Sequence, residues 1–229
     1  MDSVAVIELK KTILADNDKD AELLRSETKE QKFSYLNVMS SPGSGKTTTI
    51  LALLASIGDR LSCGVMEADI DSDVDARTIQ KAGYPSVQLH TGGMCHLDAQ
   101  MSRQGMRALA ETAEKMGAGS LDLVILENVG NLVCPAEFDT GADLNAVILS
   151  VPEGDDKPLK YPLMFEKADL VILNKVDSLP AFDFDGKKFE EYVRLRNPKA
   201  PIFRVSARTG EGIGELADWI VEKVRARIH

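Results

Sequence analysis

A glycine-rich loop set between a short apolar strand and an apolar helix constrains this chain more than any other feature. Tyr35-Leu36-Asn37-Val38-Met39 reads as the strand, Ser40-Ser41-Pro42-Gly43-Ser44-Gly45-Lys46-Thr47 as the loop, and the run from Thr48 to Ile57 as the helix. Strand, loop and helix in that order are the context in which G-x-x-x-x-G-K-[ST] holds phosphate. Backbone N–H groups of Gly43, Ser44, Gly45 and Lys46 can wrap phosphate oxygens, the new helix adds the positive end of its dipole, and Lys46 reaches the outer phosphates. The Thr47 hydroxyl is the expected Mg²⁺ ligand, with Thr48 beside it among the nucleotide contacts. Ser40 stands where the motif has its first Gly, a variant that Gly43 and Gly45 tolerate by keeping close backbone approach open. The bland alternative, a plain glycine-rich turn, is argued against by what lies downstream.

Asn174-Lys175-Val176-Asp177 closes the apolar run Ala168-Asp169-Leu170-Val171-Ile172-Leu173. A carboxylate at Asp177 can accept from both the ring N–H and the exocyclic amine of guanine, whereas adenine would turn a ring acceptor towards it. Sites built around a substrate donor reject the analogue lacking it by roughly four to five orders of magnitude, because their own polar groups are otherwise stranded. The nucleotide expected is therefore GTP, with Asn174, Lys175 and Asp177 at its base. Ser206-Ala207-Arg208, after the run 201–205, could place the N–H groups of Ser206 and Ala207 on guanine O6. Taken alone, Asn174 to Asp177 also reads as a charged turn after a strand.

Glu127-Asn128-Val129-Gly130 follows the apolar run 121–126, where a phosphate-loop protein sets the acid that supports Mg²⁺ and the glycine whose N–H meets the γ-phosphate. Glu127 replaces the usual Asp and is long enough to act through a Mg²⁺-bound water. Asn131 stands where small GTPases often hold a water-orienting Gln, so slow intrinsic hydrolysis is expected. Upstream, Glu67-Ala68-Asp69-Ile70-Asp71-Ser72-Asp73-Val74-Asp75 crowds together acids that cannot all lie close without a cation. Asp69 and Asp75 are the candidates for Mg²⁺ contact or for positioning the attacking water, while Asp71 and Asp73 also read as a solvated acidic loop. Lys46, Asp69, Asp75, Glu127 and Gly130 form the expected catalytic set.

Candidate strands fall at 35–39, 62–67, 86–89, 122–127, 145–151, 169–173 and 201–205, with helices near 46–57, 75–82, 97–116, 158–166, 186–196 and 213–227. This alternation predicts an α/β P-loop NTPase fold, a mostly parallel central sheet with helices on both faces. Residues 34–229 form the expected P-loop GTPase domain. Residues 1–33 form an N-terminal helical extension, in which Val4, Ile7, Leu14, Leu23 and Leu24 recur at helical intervals interrupted by Asp16-Asn17-Asp18. One or two surface helices, weakly packed on the sheet, are expected there. The apolar runs are too short to span a bilayer, and no basic, apolar, small-residue signal opens the chain, which predicts a cytoplasmic protein away from membranes. A net charge of −9 argues against nucleic acid as a partner.

Three Cys and three His are too few and too scattered for a disulfide scaffold. Cys63 reads as core and His90 as structural. Cys95-His96 lies in a glycine-containing polar stretch, and Cys134 follows Gly130 closely. Thiolate and imidazole suit borderline metals such as Ni²⁺ or Zn²⁺. Adjacent residues usually point apart, so a second subunit could be needed to complete such a site, and a purely structural role stays open.

Ser41-Pro42-Gly43-Ser44-Gly45-Lys46-Thr47, Cys95-His96-Leu97-Asp98-Ala99, Glu127-Asn128-Val129-Gly130-Asn131-Leu132-Val133-Cys134-Pro135-Ala136 and Asn174-Lys175-Val176-Asp177 together resemble the hydrogenase nickel-incorporation GTPases, the HypB family. The resemblance runs from about Tyr35 to the end of the chain. It implies a P-loop GTPase that dimerises with GTP and binds nickel or zinc through Cys95, His96 and Cys134 at the subunit interface. It further implies delivery of nickel to a [NiFe] hydrogenase large-subunit precursor alongside a second nickel accessory protein. Residues 1–62 contain no Cys and no His, unlike family members with an N-terminal cysteine motif or His-rich tract, which puts a storage role in doubt. Three rival readings are a small-molecule kinase, which would have no use for Asn174 to Asp177, a urease-type accessory GTPase, which resembles a Cys-Pro-His triplet, and a metal chaperone whose turnover is incidental. The tether between Gly130 and Cys134 suggests that hydrolysis displaces a metal ligand.

Overall fold

Strand β1 (Ser34–Ser40) is buried at every position, as a strand flanked on both sides and covered on both faces must be. In the computed structural model, which describes residues 9–69 and 74–229, β1 lies between β4 (Leu123–Glu127) and β5 (Leu144–Ser150). The sheet is completed by β2 (Cys63–Asp69), β3 (Ser86–His90), β6 (Leu170–Asn174) and β7 (Ile202–Arg204), in the order β3-β2-β4-β1-β5-β6-β7. Every pairing is parallel, where the sequence predicts a mostly parallel sheet. The chain leaves β1 with one neighbour strand to each side, a topological switch point, and ligands of such sheets bind beyond the carboxyl end of that strand.

Alternation along β1 assigns its side chains to the two faces. Leu36 and Val38 join Ile50, Leu54 and Ile57 of α2 (Lys46–Ile57) and Leu216 and Ile220 of α9 (Ile213–Ile228). Tyr35, on the opposite face, joins Leu24 of α1 (Leu9–Glu30) and Leu109 of α4 (Ala99–Lys115). A further cluster, around Met39, Leu149, Leu173, Phe165 and Phe189, lies under the β5–β6 side. Helices α3 (Val74–Lys81), α5 (Cys134–Glu137), α6 (Lys157–Lys160), α7 (Pro162–Glu166) and α8 (Gly186–Arg196) complete the described α-helices. Among the described residues no helix is long and apolar enough to cross a membrane.

The N-terminal reading needs two corrections. Helix α1 runs without a break through Asp16-Asn17-Asp18, because Asp16 pairs with Lys19 at 3.2 Å and Asn17 turns its amide inward to partners on other elements. Its packing is not weak: Ala21 and Leu24 are buried, Arg25 Nε donates to Ala142 O at 3.0 Å, and Arg103 Nε meets Glu27 Oε2 at 2.9 Å. Val4, Ile7, Asp71 and Asp73 lie outside the described residues. The helix expected at 158–166 is broken at Tyr161 (φ −128°, ψ 59°), since Pro162 disfavours a helical residue before it and offers no N–H. The short helix α5 was not anticipated.

Gly212 caps α9 with φ +70°, and a Cβ there would lie 2.1 Å from Arg204 O, whereas a Cβ at Gly214 would meet open space. Gly212→Ala should destabilise the protein by about 2–3 kcal/mol or more, from combined backbone strain and clash. Gly214→Ala should be neutral or stabilising by up to about 1 kcal/mol. Urea denaturation of both variants checks the pair.

Candidate functional site

Beyond the carboxyl end of β1, Gly43 (φ +75°) and Gly45 (φ +92°) adopt the left-handed conformation that a side chain would strain. At Gly45 a Cβ would also lie 2.7 Å from Asn174 Nδ2. That nitrogen donates to Ser44 O at 3.0 Å, and Lys175 Nζ donates to Gly43 O at 2.7 Å, so the loop after β6 grips the loop after β1 directly. The unusual Ser40 has a structural reason. Its hydroxyl donates to Ser41 O (2.7 Å) and accepts from Ser44 Oγ (2.7 Å) and Lys46 Nζ (3.0 Å), giving the lysine a partner inside the loop.

Asn174 is 1% exposed, while Asp177 is exposed and accepts from Ser206 Oγ at 2.7 Å. The N–H of Ala207 points to Asn174 Oδ1 at 3.3 Å, and the N–H of Ser206 donates to Glu211 O at 2.9 Å. The residues named from sequence thus form one surface, but Ser206 engages Asp177 through its hydroxyl, with its amide used within its own turn.

The acidic side of the site is built on neighbouring strands. Glu67 of β2 and Glu127 of β4 are register partners, 2% and 5% exposed. Thr47 Oγ1 donates to Glu127 Oε1 at 2.9 Å, while Glu127 Oε2 and Glu67 Oε1 are buried without a hydrogen-bond partner. Burial first, then the Glu127 charge, push the Glu67 carboxyl far above the usual range. Glu127 is raised by burial and opposed by Lys46. Two orphaned carboxylate oxygens beside a threonine hydroxyl are a donor set that fits a hard divalent cation. Asp69, at the exposed end of β2, and Asp75, in the first turn of α3, share with Lys46, Thr47 and Glu127 a cavity of about 610 Å³. Gly130 closes it against the phosphate loop, where a Cβ would lie 3.2 Å from Pro42 Cα.

Sequence reasoning passed over Glu67 in favour of Asp69 and Asp75. It also missed an amide ladder behind the site, in which Asn128 Nδ2 donates to Asn37 Oδ1 and Asn37 Nδ2 to Asn145 Oδ1, both at 3.0 Å. Asn131 does not face the cavity as a water-orienting residue. Its Oδ1 accepts from Val133 N (2.7 Å) and Cys134 N (3.2 Å), so it shapes the start of α5.

The sulfur residues come together at one end of this loop. Cys95 Sγ and Cys134 Sγ are 2.7 Å apart, Asn131 Nδ2 lies 3.7 Å from the latter, and the contact with Cys95 raises the Cys134 thiol above its usual value. A cation held by both sulfurs would displace that proton. His96 stacks on Phe138 with ring centroids 3.5 Å apart, leaving Nδ1 3.9 Å from Cys95 Sγ. Among the described residues no set of three His, Cys, Asp or Glu gathers around one point.

Folded Glu67 retains a proton that the unfolded chain has released at neutral pH. Its contribution to stability is therefore full below the ordinary carboxyl range and falls as pH rises through the elevated folded value. For metal-free, nucleotide-free protein between pH 5.5 and 8, Glu67→Gln should make stability fall less steeply with pH, by up to about 1 kcal/mol per pH unit. Equal slopes for parent and variant in chemical denaturation would count against the buried acid pair.

Comparison with known proteins agrees with this geometry. The family described as CobW/HypB/UreG, nucleotide-binding domain, matches residues 34–204. The hydrogenase maturation factor HypB of Azotobacter vinelandii is 45% identical over 227 residues, covering 97% of this chain and 73% of the relative. A crystal structure of HypB from Helicobacter pylori in complex with nickel matches with a TM-score of 0.86 at 37% identity, covering 93% of this chain and 97% of that one. The hydrogenase maturation factor HypB from Archaeoglobus fulgidus matches with a TM-score of 0.80 at 35% identity, covering 92% and 100%. The chain belongs to the HypB family of P-loop GTPases, within the CobW/HypB/UreG group.

Proposed function

We propose that this chain hydrolyses GTP to GDP and phosphate, slowly on its own, and uses that cycle to control a bound Ni²⁺ or Zn²⁺ ion, assisting nickel insertion into a [NiFe] hydrogenase precursor. The observation that carries the reading is the continuity of one segment: Gly130 rests on Pro42 of the phosphate loop, and the same segment delivers Cys134 to Cys95. The GTPase unit of the proposal is residues 34–229, with residues 1–33 as its helical extension.

The residues divide the work by their chemistry. Amides of Gly43, Ser44, Gly45 and Lys46 at the start of α2 take up phosphate charge, and Lys46 exchanges Ser40 for a phosphate oxygen. Thr47 and Glu127, with Asp69 near, would hold Mg²⁺, which supplies charge neutralisation to the transferring phosphoryl group. Asp75 orients water or supports that cation. Asn174 and Lys175 hold the phosphate loop, while Asp177, Ser206 and Ala207 receive guanine. Cys95, His96 and Cys134 bind the soft metal, and because one chain gathers too few of these donors, a second copy completes the site in a GTP-dependent homodimer. A hydrogenase large-subunit precursor and a second nickel accessory protein are the proposed partners, and the cytoplasm the proposed compartment.

Asp177→Asn should exchange guanine preference for xanthine, weakening GTP by roughly a hundredfold or more as the ring N–H loses its acceptor. Competition between GTP and xanthosine triphosphate measures this, and unchanged GTP use would favour a kinase reading. Ni²⁺ affinity should differ between GDP and a non-hydrolysable GTP analogue by about 5- to 150-fold, the usual size of such coupling. Cys134→Ala should weaken Ni²⁺ binding in both states while GTP binding survives. Calorimetric constants equal in the two nucleotide states would dismiss the gating.

A further inference from the structure

Asn17 of helix α1 bonds both segments of the sulfur site. Asn17, 8% exposed, uses both ends of its amide: Oδ1 accepts from Ala99 N at 3.0 Å and Nδ2 donates to Asp139 O at 2.9 Å. Ala99 opens α4 directly after Cys95-His96-Leu97-Asp98, and its N–H is among those that a helix start leaves without an intrahelical partner. Asp139 follows Cys134, α5 and Phe138. The amide therefore joins the two segments that carry the thiols, from a helix that carries neither.

The sheet does not set the distance between those segments. One follows β3 and the other β4, and β2 lies between them, so no ladder hydrogen bond registers one against the other. They meet at the Cys95–Cys134 contact and at the His96–Phe138 stack, and Asn17 ties them behind both. A primary amide suits the place because it supplies a donor and an acceptor together, whereas a carboxylate supplies acceptors alone. Other links from α1 each hold one segment: Arg25 bonds Ala142 O and the Asp139 carboxylate, and Gln100 Nε2 donates to Asp20 Oδ2 at 2.8 Å.

We infer that Asn17 is a positioning residue for the metal site, limiting how far Cys95 and Cys134 can separate so that both sulfurs stay within reach of one soft cation. The inference rests on the reading of these thiols as metal ligands. Groups behind metal ligands that fix their orientation commonly matter by about 10- to 100-fold in affinity.

The test compares the full chain with Asn17→Ala, Asn17→Asp and Asp20→Ala. Asn17→Asp keeps an acceptor at the α4 N-terminus, where negative charge is favourable, so the fold is preserved while the bond to Asp139 O is lost. Asp20→Ala cuts an exposed α1–α4 link away from the thiols. Reduced, metal-free protein is treated with dibromobimane, which fluoresces when two neighbouring thiols displace both of its bromides, and Cys63 is buried. Ni²⁺ alone is then titrated by sulfur-to-nickel charge-transfer absorption. Both Asn17 variants should cross-link several-fold more slowly and bind Ni²⁺ about tenfold or more weakly, with GTP binding kept, while Asp20→Ala matches the parent. Parental cross-linking and Ni²⁺ affinity in both Asn17 variants would overturn the inference, as would an equal loss in Asp20→Ala. A parent that cross-links but binds no Ni²⁺ overturns the metal reading, and the cross-linking comparison then decides the clamp by itself.

Discussion

The approach of Asn174 to Gly45 is the constraint around which the site is arranged. The loops after β1 and β6 are separated in the sheet by β5, yet Asn174 Nδ2 reaches Ser44 O because residue 45 has no side chain to stop it. One hydrogen bond between neutral groups contributes about 1 kcal/mol. Its larger effect is geometric, because it fixes the phosphate loop relative to the loop proposed to receive the base. Lys175, held at φ +61° with its ammonium on Gly43 O, reinforces the same distance. Preorganisation of this kind reduces the ordering that binding must otherwise impose.

Charge at the carboxyl edge of the sheet suits the cation and phosphate of the proposed reaction together. Glu67 and Glu127 face each other across the β2–β4 pairing, and two unpartnered oxygens remain there. Buried carboxyls in that position stay protonated or recruit a cation, since two adjacent charges in a poorly solvated site repel. Lys46 sits between the alternatives, resting on the Ser40 hydroxyl. In the proposed cycle the serine that departs from the usual glycine is a temporary partner, and a phosphate oxygen would be a stronger one because the bond becomes charge-assisted on both sides.

The most regular parts of the fold were legible because their ends are marked. Helix α2 begins after Gly45 and stops at Gly58, both at positive φ, and α8 begins after Asp185, whose carboxylate caps Lys187 and Lys188 N–H groups. Three misreadings have a common physical origin in tertiary contacts. Asp16-Asn17-Asp18 looks like an interruption by local preference, but Asn17 is paid back elsewhere in the fold. The strand expected at 62–67 makes Glu67 a strand end. The strand continues to Asp69, which makes Glu67 interior and leaves Asp69 exposed. Asn131 follows the loop glycine as a water-orienting side chain would, yet the unanticipated helix α5 takes its carbonyl. The phosphate-loop motif is legible because strand, loop and helix are contiguous, whereas the meeting of Cys95 with Cys134 depends on strands two places apart.

For a moving loop to change metal affinity, one ligand must move while its partner stays, since displacement of both together leaves their separation unaltered. The two thiols sit in unlike surroundings in this respect. Cys134 belongs to the segment from Asn128 to α5, tied to β1 through Asn37 and close to Pro42 at Gly130, so it adjoins the loop proposed to hold phosphate. Cys95 precedes α4, whose first N–H is held by Asn17 and whose body is packed on α1 through Arg103 and Glu27. In the proposed cycle the phosphate-facing segment is the mobile side and the α1–α4 pair the fixed one. The Asn17 bond to Asp139 O then limits the stroke at the far end of the moving segment, so that nucleotide exchange alters the gap between the sulfurs without releasing the loop. A nucleotide can shift a two-state element by no more than its differential affinity for the two states, and a short, tethered displacement is the form in which that free energy reaches a metal ligand with least loss to disorder.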